Sequence, residues 1–356
     1  MSFAILCSGV ALGVYLPGLL LRRDLRRLGI PAEVFVLESL FPEERRRGLR
    51  RTRSAFHRDF RAAVAGHKLA RDPTPLLDEV ASTALLQRWA DEDRRRFVVL
   101  SGFWLPLLDR FRSLARGVLD VELCHVDSVD SPSFRATAAF SGIGHNRRLL
   151  DAEAGCVRSA ILATREAPVP FSRRERPIAH GGGWGMGTYA KRAEELAQRG
   201  WPMDVIGCEL EDAGTRAAGS RHFLADPEWE PWRGEPGFPP FGEVAPDGTA
   251  SYRVPDDHHA AFDLVRAAPF VLSKPGGATL LDSLAAATPV VLLEPLGDHE
   301  RRNAELWERL GFGIAWERFL ALDDPRADLE WRHLALCVAR EQVPDYAALL
   351  AAERQA

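Results

Sequence analysis

Residues Val271 to Asn303 read VLSKPGGATLLDSLAAATPVVLLEPLGDHERRN, and this stretch decides the fold. An apolar run from Pro269 to Leu272 ends at the sequence SKPGG, and Ala278 to Ala287 then has helical composition and spacing. A second apolar run, Pro289 to Glu294, follows within a few residues. Strand, glycine turn, helix and strand predict a parallel βαβ unit, whose connections favour right-handed winding.

The glycine turn of this unit predicts an anion-binding site. Gly276 and Gly277 have no Cβ atom that would keep a ligand away. The first free N–H groups of the helix, from about Ala278 and Thr279, point outward at the positive end of the helix dipole. Lys274 adds a cation beside the turn. The stretch therefore predicts a site for a phosphate group.

The order of residues around this turn resembles the donor-binding half of GT-B glycosyltransferases. The shared features are S-K-P-G-G-x-T, an acid three residues later at Asp282, T-P before a buried strand, and P-L-G-D-H-E-x-x-N-A. The likeness is to the group of UDP-glycosyltransferases, lipid II N-acetylglucosaminyltransferases and diacylglycerol glucosyltransferases. It is specific over Pro269 to Gly313 and topological elsewhere. It implies an α/β chain with two Rossmann-like parallel-sheet domains that face each other across a cleft.

The resemblance also implies roles for individual residues. In that family the glycine turn holds the diphosphate and the acid at the place of Asp282 binds the ribose hydroxyl groups. The residues implied to contact the sugar are Asp298, His299, Glu300 and Asn303. Asp282 stands where the family usually has Glu, and His299-Glu300 stand near the usual D-Q or Q-E. These two departures leave the identity of the sugar open.

A second glycine-rich turn follows a strand that is predicted from Arg176 to His180. It reads GGGWGMGT over residues 181–188 and lacks the G-x-G-x-x-G spacing, which disfavours a dinucleotide-binding fold. The resemblance places this loop near the donor phosphates, through Gly183 and Gly185. The alternative is a flexible loop that packs under Trp184.

A short strand is predicted from Tyr252 to Pro255, before a helix from His258 to Ala268. The resemblance implies that Arg253 and Val254 contact the pyrimidine base. His258 and His259 are adjacent, and neighbouring helical positions face about 100° apart. They cannot share one metal ion without a third ligand, so both are expected to face solvent.

The general base expected by the resemblance is missing from the N-terminal region. Phe3 to Cys7 predicts a strand, a glycine turn follows, and Leu16 to Leu28 predicts a helix. The family's catalytic histidine would fall on Val14 or Tyr15. Valine cannot accept a proton, and the pKa of a free tyrosine is about 10, so a base must come from elsewhere.

Two histidines that follow other predicted elements are the candidates for this base. The strand Val121 to Cys124 ends next to His125 and Asp127, which predicts a base and its partner at the edge of the sheet. His145 is the second candidate, because its flanking glycine leaves it sterically open. Each could instead be an idle loop histidine. The elements predicted after His145 are a helix, Asn146 to Ser159, and a strand, Ala160 to Ala163.

Two further stretches concern the acceptor. Phe41 to Asp72 carries many arginines, concentrated over residues 45–71 and interleaved with apolar residues at helical spacing. It is either a solvated helix face or a basic surface for an anionic acceptor and for peripheral membrane contact. Residues 226–247 are rich in aromatic residues, proline and glycine, and they are expected to form an ordered wall of the acceptor site.

Length and composition limit the class of protein. The 356 residues suggest two domains, and a formal net charge of −4 gives no sign of a nucleic-acid partner. The five cysteines are dispersed and form no C-x-x-C pair, and the N-terminus lacks the basic region of a signal peptide, so a cytoplasmic location is expected. Asp91-Glu92-Asp93 matches a metal-binding D-x-D but lies in a predicted helix, where a solvated face is the simpler interpretation.

The predicted organisation is an acceptor-binding Rossmann-like domain over residues 1–166, a linker over 167–176 and a nucleotide-sugar-binding domain over 177–340. A last helix, residues 341–356, is implied to cross back to the first domain. The predicted function is a metal-independent, inverting glycosyltransferase without a cofactor, which moves a sugar from a UDP- or dTDP-sugar to a small-molecule or lipid acceptor of specialised metabolism. The alternatives are a sugar-nucleotide epimerase of the same fold and a catalytically silent auxiliary subunit.

Overall fold

The N-terminal half builds a five-stranded parallel sheet. A computed structural model describes residues 2–214 and 219–353. The strands are β1 (Phe3–Cys7), β2 (Ala32–Val36), β3 (Arg96–Val99), β4 (Asp120–His125) and β5 (His145–Arg148). Their order is β2-β1-β3-β4-β5, and every pairing is parallel. Ile5 and Leu6 of β1 pack into separate apolar clusters on the two faces, as in a parallel sheet that is covered by helices.

Helices cover both faces of this sheet, and a small hairpin follows it. The helices are α1 (Tyr15–Arg27), α2 (Glu43–Arg58), α3 (Phe60–Lys68), α4 (Glu79–Asp91), α5 (Leu105–Arg112) and α6 (Pro132–Ala136). The hairpin pairs β6 (Leu150–Asp151) with β7 (Cys156–Val157). The side chain of Asp59 accepts hydrogen bonds from the first N–H groups of α3, and Asp78 does the same for α4.

The helix predicted from Asn146 to Ser159 is wrong. Its first residues belong to β5, where Arg147 lies opposite Cys124 of β4, and the rest forms the hairpin. The strand predicted from Ala160 to Ala163 is also wrong, because the segment makes one isolated bridge, between Ala160 and Asp345. Pairing with a neighbouring strand outweighed local composition in this region.

The C-terminal half builds a seven-stranded sheet. Its strands are β8 (Ile178–His180), β9 (Asp204–Ile206), β10 (Arg221–Ala225), β11 (Phe241–Val244), β12 (Val271–Ser273), β13 (Val290–Leu292) and β14 (Gly313–Ala315). The order is β11-β10-β9-β8-β12-β13-β14, and β11 is the antiparallel edge strand. The predicted βαβ unit is confirmed, because β12 pairs in parallel with β13 and places Val271 opposite Val290.

The helices of this half are α7 (Tyr189–Gln198), α8 (Ala261–Ala267), α9 (Gly277–Ala286), α10 (Asp298–Arg309), α11 (Trp316–Leu320), α12 (Pro325–Gln342) and α13 (Tyr346–Ala352). The helix predicted from His258 begins later, at Ala261. The strand predicted from Tyr252 to Pro255 is wrong, because Arg253 makes only an isolated bridge with Phe241.

The last helix returns to the first half. α13 packs against α1, and the hydroxyl group of Tyr346 donates a hydrogen bond of 2.6 Å to Glu122 of β4. The domain boundaries expected from the sequence stay a prediction. Met1, in the predicted first domain, and residues 354–356, in the predicted last helix, lie outside the described residues. Within residues 2–214 and 219–353, no helix has the length and apolar character needed to cross a membrane.

Candidate functional site

A cavity of about 610 Å³ lies between the two sheets, at the ends of their strands. Parallel strands all end at the same edge of a sheet, so the loops that follow them meet there. Four such loops contribute to the wall: Leu12 follows β1, Asp127 follows β4, Gly183 follows β8 and Gly277 follows β12. The cavity is therefore built by both halves of the chain.

The N-terminus of α9 faces this cavity through Gly276, Gly277, Ala278 and Thr279. Leu280 is the first residue whose N–H donates to the carbonyl oxygen of Gly276, so the N–H groups before it have no acceptor inside the helix. A Cβ atom on Gly277 would lie 2.9 Å from the carboxylate of Asp127, which explains the need for glycine. The predicted turn thus presents the positive end of a helix to the cavity.

A buried ion pair lies beside this helix start. The Nζ atom of Lys274 is 2.5 Å from Oε1 of Glu300, and Oε2 of Glu300 accepts a hydrogen bond of 2.6 Å from the N–H of Leu296. Burial acts to raise the pKa of Glu300, but the charges of Lys274 and His299 together with the hydrogen bonds from Lys274 and Leu296 outweigh it, and the pKa lies below the usual range. Both side chains line the cavity, and the pair holds the Lys274 ammonium at its wall.

Asp282 lines the cavity one turn further along α9, and a histidine holds it. Nε2 of His259 lies 3.2 Å from Oδ1 of Asp282, and His259 is buried at the cavity wall. The prediction that His259 faces solvent is therefore wrong; His258 instead contacts Asp263, at 2.9 Å. The partners His259 and Asp282 are 23 residues apart, so no local pattern indicated their contact.

His180 is a cavity residue that sequence reasoning passed over. It is the last residue of β8, and its Nδ1 atom accepts a hydrogen bond from the N–H of Gly182. Burial lowers the pKa of His180 to about 4, which makes the ring neutral near pH 7. The available signal was its position at the end of a predicted strand, the same criterion that selected His125.

His299 meets a second histidine that comes from the other half of the chain. The rings of His299 and His67, on α3, are stacked with centroids 4.8 Å apart, and both line the cavity. Burial, together with the proximity of His299, lowers the pKa of His67 to about 4. Asp298 does not reach the cavity, because as the first residue of α10 it is exposed and pairs with Arg301. Asp298 therefore does not lie where the predicted contact with the sugar would require it.

Asn303 joins the two halves and does not line the cavity, which corrects its predicted contact with the sugar. Its Nδ2 atom donates to Oδ1 of Asp127 at 2.8 Å and to the carbonyl oxygen of Pro275 at 3.0 Å. Its Oδ1 atom accepts a hydrogen bond of 2.8 Å from the N–H of Ser128. The amide group is fully buried and its hydrogen-bonding groups are already engaged.

The predicted pair of His125 and Asp127 does not form. His125 is buried against Phe134, with ring centroids 4.1 Å apart, and its Nε2 atom is 2.8 Å from Oδ1 of Asn146. Its Nδ1 atom faces Asp130 at 3.4 Å. Asp127 lies in the loop beyond the end of β4 and lines the cavity, whereas His125 is the last residue of the strand and does not line it. His125 is therefore withdrawn as the general base.

His145, the second candidate base, does not line the cavity either. It begins β5, opposite Glu122 of β4, and is therefore three residues short of the edge that His125 reaches. The error follows from the wrong helix prediction, which placed His145 after a strand instead of at the start of one.

Of the remaining residues that were predicted to contact the nucleotide, one lines the cavity and three do not. Gly183 lines the cavity, whereas Gly185 lies behind the loop and its carbonyl oxygen contacts His57 at 2.7 Å. Arg253 and Val254 are exposed beside β11 and do not line the cavity, so their predicted contact with a base is corrected. Because the order is β11-β10-β9-β8-β12, this segment lies at the edge of the sheet, far from β12.

The basic stretch covers the cavity with the apolar side of α2 and α3. Phe56 and Ala63 pack with Trp184 and Met186 of the C-terminal half. The glycine loop around Trp184 therefore packs against these two helices. Two arginines also contact that half: Arg53 donates to the carbonyl oxygen of Cys208, and Arg58, which is exposed, pairs with Glu209. The exposed arginines of the stretch are Arg45, Arg47, Arg51, Arg58, Arg61 and Arg71.

Tyr15, where the missing histidine was expected, is not available as a base. Its hydroxyl group donates to the carbonyl oxygen of Gly237 at 2.8 Å and accepts from the N–H of the same residue at 3.0 Å. Burial raises the pKa of Tyr15 well above its usual range. The aromatic insertion therefore packs on the start of α1, and its Pro239 and Phe241 line the cavity.

Comparison of the whole molecule with solved structures reveals its fold. The glycosyltransferase SnogD from Streptomyces nogalater aligns with a TM-score of 0.51 and 17% identity, covering 99% of both chains. Acinetobacter baumannii MurG aligns with a TM-score of 0.54 and 12% identity, covering 99% of both chains. The spinosyn rhamnosyltransferase SpnG complexed with thymidine diphosphate aligns with a TM-score of 0.51 and 12% identity, covering 99% of this chain and 100% of that one.

No protein-family model matches the sequence, and no curated protein matches it either. The structural alignments nevertheless extend over the entire chain. The molecule thus has the GT-B fold of these glycosyltransferases, and the predicted α/β architecture with two Rossmann-like parallel-sheet domains is confirmed.

Proposed function

We propose that the chain transfers a sugar from a nucleoside diphosphate sugar to the hydroxyl group of an acceptor. The observation that carries the proposal is the free N-terminus of α9 at a cavity between the two sheets of a GT-B fold. Backbone N–H groups at such a position favour negative charge, and a leaving diphosphate has most of its charge there.

The donor side of the cavity suits a pyrimidine nucleoside diphosphate, UDP or dTDP. Gly276 to Thr279 would hold the diphosphate, with Lys274 as the neighbouring cation. Asp282, oriented by His259, would accept hydrogen bonds from the ribose. Thymidine diphosphate is named in the complex of SpnG, which shares this fold. Helix N–H groups and one ammonium supply the positive charge in this arrangement, so no metal ion is required for the diphosphate.

The proposed reaction is a direct displacement with inversion at the anomeric carbon. The acceptor oxygen forms a bond to that carbon while the bond from the carbon to the β-phosphate oxygen breaks. The diphosphate leaves with the electron pair of the broken bond, and the acceptor proton passes to a base. The N-terminus of α9 stabilises the charge that develops on the leaving oxygen, which is the role of a pre-aligned set of donors.

The N-terminal side of the cavity suits an apolar acceptor, either a small molecule or a lipid. Its wall consists mainly of hydrophobic side chains: Val10, Leu12, Leu16, Leu37, Phe41, Leu49, Phe56 and Phe103. The exposed arginines of α2 and α3 flank this side and support a contact with anionic lipid when the acceptor is membrane-bound.

Nucleotide binding in the absence of metal tests the proposal. UDP or dTDP at 100 times its Kd should add ~2.7 kcal/mol to the free energy of unfolding. Each kcal/mol raises the melting midpoint of a domain of 150–250 residues by roughly 2–4 °C, so a rise of several degrees is expected in EDTA. Uridine, which lacks phosphate groups, should give a much smaller rise.

Gly277→Val should remove the stabilisation, because a side chain there enters the space next to Asp127 and Val126. Gly142→Val is the control for glycine replacement: Gly142 is exposed, a Cβ atom there meets nothing within 4 Å, and it does not line the cavity, so its nucleotide response should be that of the wild type. A wild-type chain that needs magnesium for the shift, or that shows no shift with either nucleotide, would contradict the proposed donor site.

A catalytically silent subunit that assists a partner transferase is the second candidate. The observation that favours it is the immobilised Tyr15 beside Val14, where a catalytic histidine was expected. Product formation from a UDP- or dTDP-sugar by the purified chain alone would exclude this candidate.

A further inference from the structure

Glu38 differs from the other buried acids of the molecule. Five of them pair with an arginine or a lysine: Asp24, Asp151, Asp204, Glu230 and Glu300. Glu38 is 2% exposed and has no ion-pair partner among the residues that the structure describes. A buried carboxylate without a cation is costly and is found preferentially at functional sites. Glu38 also lines the cavity.

A serine hydroxyl group connects Glu38 to the cavity. The Oγ atom of Ser8 donates a hydrogen bond of 2.5 Å to Oε1 of Glu38, and the N–H of Gly9 donates one of 2.7 Å to Oε2. The N–H of Val10 donates to Ser8 Oγ at 3.3 Å. Ser8 lines the cavity directly after β1, and its oxygen retains a second lone pair.

We propose that Glu38, acting through the Ser8 hydroxyl group, is the general base that takes the proton of the acceptor. This inference rests on the proposed function. The acceptor hydroxyl group donates its proton to Ser8 Oγ while Ser8 passes its own proton to Glu38 Oε1. The acceptor oxygen then bonds to the anomeric carbon and the diphosphate leaves with its electron pair. The acceptor proton remains on Ser8 and the proton that Ser8 gave up ends on Glu38, so charge and atoms balance.

The location of Glu38 favours it over the other acids that line the cavity, of which Glu300 pairs with Lys274 and Asp282 contacts His259. Asp127 lies against Gly277 at the start of α9, where the diphosphate would bind, and it already accepts from Asn303. Glu38 and Ser8 belong to the loops after β2 and β1, next to the apolar wall formed by residues such as Phe41. They therefore border the acceptor side.

The acidity of Glu38 suits this role. Burial raises the pKa of Glu38 above its usual range, although the hydrogen bonds from Ser8 and Gly9 act in the opposite direction. A carboxylate with a raised pKa holds an accepted proton better than an exposed one does. It must be ionised to act, so the rate should fall as the pH is lowered through this raised pKa.

Two acceptors that differ in acidity test the proposal. Transfer from UDP-glucose and dTDP-glucose is measured to benzyl alcohol, which stays neutral, and to 4-nitrophenol, which is largely ionised in mildly alkaline buffer. Glu38→Gln should slow transfer to benzyl alcohol at least ~10²-fold and remove the acid limb of its pH profile. Transfer to 4-nitrophenolate should change little, because that acceptor has no proton to lose. Ser8→Ala, which keeps the carboxylate, should show the same selectivity.

Glu33→Gln is the matched control, since Glu33 lies on β2 but pairs with Arg88 and Arg94 outside the cavity and should leave both rates unchanged. A Glu38→Gln loss that is equal for both acceptors would show a structural role and overturn the proposal, as would an unchanged rate with benzyl alcohol. Stabilisation by UDP and dTDP is measured on the same proteins. A wild type that binds neither nucleotide would refute the proposed function itself, whereas binding with an unaffected Glu38→Gln rate would refute only the base.

Discussion

His57 and Asp212 connect the two halves of the molecule through a hydrogen bond of 2.8 Å between Nε2 and Oδ1. The other ring nitrogen of His57 faces the carbonyl oxygen of Gly185 at 2.7 Å. Oδ2 of Asp212 accepts from the N–H groups of Cys208 and Glu209, which marks the carboxylate as ionised. Both ring nitrogens of His57 therefore face acceptors, and only the imidazolium form can donate to both.

Because of this contact, the stability of the packing between α2 and the C-terminal half should depend on pH. The hydrogen bond that His57 donates to Asp212, opposed by burial and aided by the hydrogen bond to the carbonyl oxygen of Gly185, raises the pKa of His57. A raised pKa means that the stabilisation is complete below the ordinary value of about 6.5 and is lost as the pH rises through the folded-state value. The thermal midpoint of the wild type should exceed that of His57→Gln at ~pH 6, and the difference should shrink toward ~pH 9. Calorimetric scans across this range measure it.

His145→Gln is the control for that series. It removes an exposed histidine that has no ion pair among residues 2–214 and 219–353. Its midpoint should follow the wild type at each pH. A His57→Gln deficit that is independent of pH would show that packing, and not the imidazolium, joins the halves.

Asp282→Ala should weaken UDP binding while the fold is retained. A hydrogen bond to a charged group contributes ~1.5–3 kcal/mol, which corresponds to roughly ten- to hundredfold in affinity. Asp263→Ala is the matched control, because Asp263 lies on the neighbouring helix α8 and contacts His258 but does not line the cavity. Isothermal titration calorimetry with UDP compares the two variants. Equal affinities would remove Asp282 from the ribose site.

Lys274→Met should destabilise the protein as well as weaken nucleotide binding. Breaking a buried ion pair leaves Glu300 uncompensated and typically costs ~3–5 kcal/mol. The double variant Lys274→Met, Glu300→Leu should recover most of that stability, because neither charge is then left without a partner. It should not recover UDP binding if the ammonium contacts the diphosphate. Denaturant unfolding and titration calorimetry on the same samples separate the two effects, and nucleotide binding by the double variant would contradict the role given to Lys274.

The sequence was most informative where structure depends on neighbours along the chain. The run from β12 to β13 was predicted because apolar segments, a glycine turn and a helical period follow each other within about 25 residues. The start of α9 needs no distant partner to present its N–H groups. The positions of Gly276 to Thr279 at the cavity could therefore be predicted from the sequence.

Predictions from local sequence were wrong where the structure of a segment depends on a residue far away in the chain. Residues 146–159 have a composition that permits a helix, yet β5 forms there because β4 offers a free edge. That single error misplaced His145. His259 was assigned to solvent because its contact with Asp282 comes from the packing of α8 on α9, not from spacing.

The sequence by itself thus determined the βαβ unit from β12 to β13 and its glycine turn, since hydrophobic periodicity and backbone geometry act over a few residues. Only the tertiary structure decided which polar groups share the cavity. Glu38 and Ser8 are 30 residues apart, and they meet because β1 and β2 are adjacent parallel strands whose ends lie at one edge. A side-chain contact of this kind depends on how strands are ordered, and strand order is set by the packing of the whole sheet.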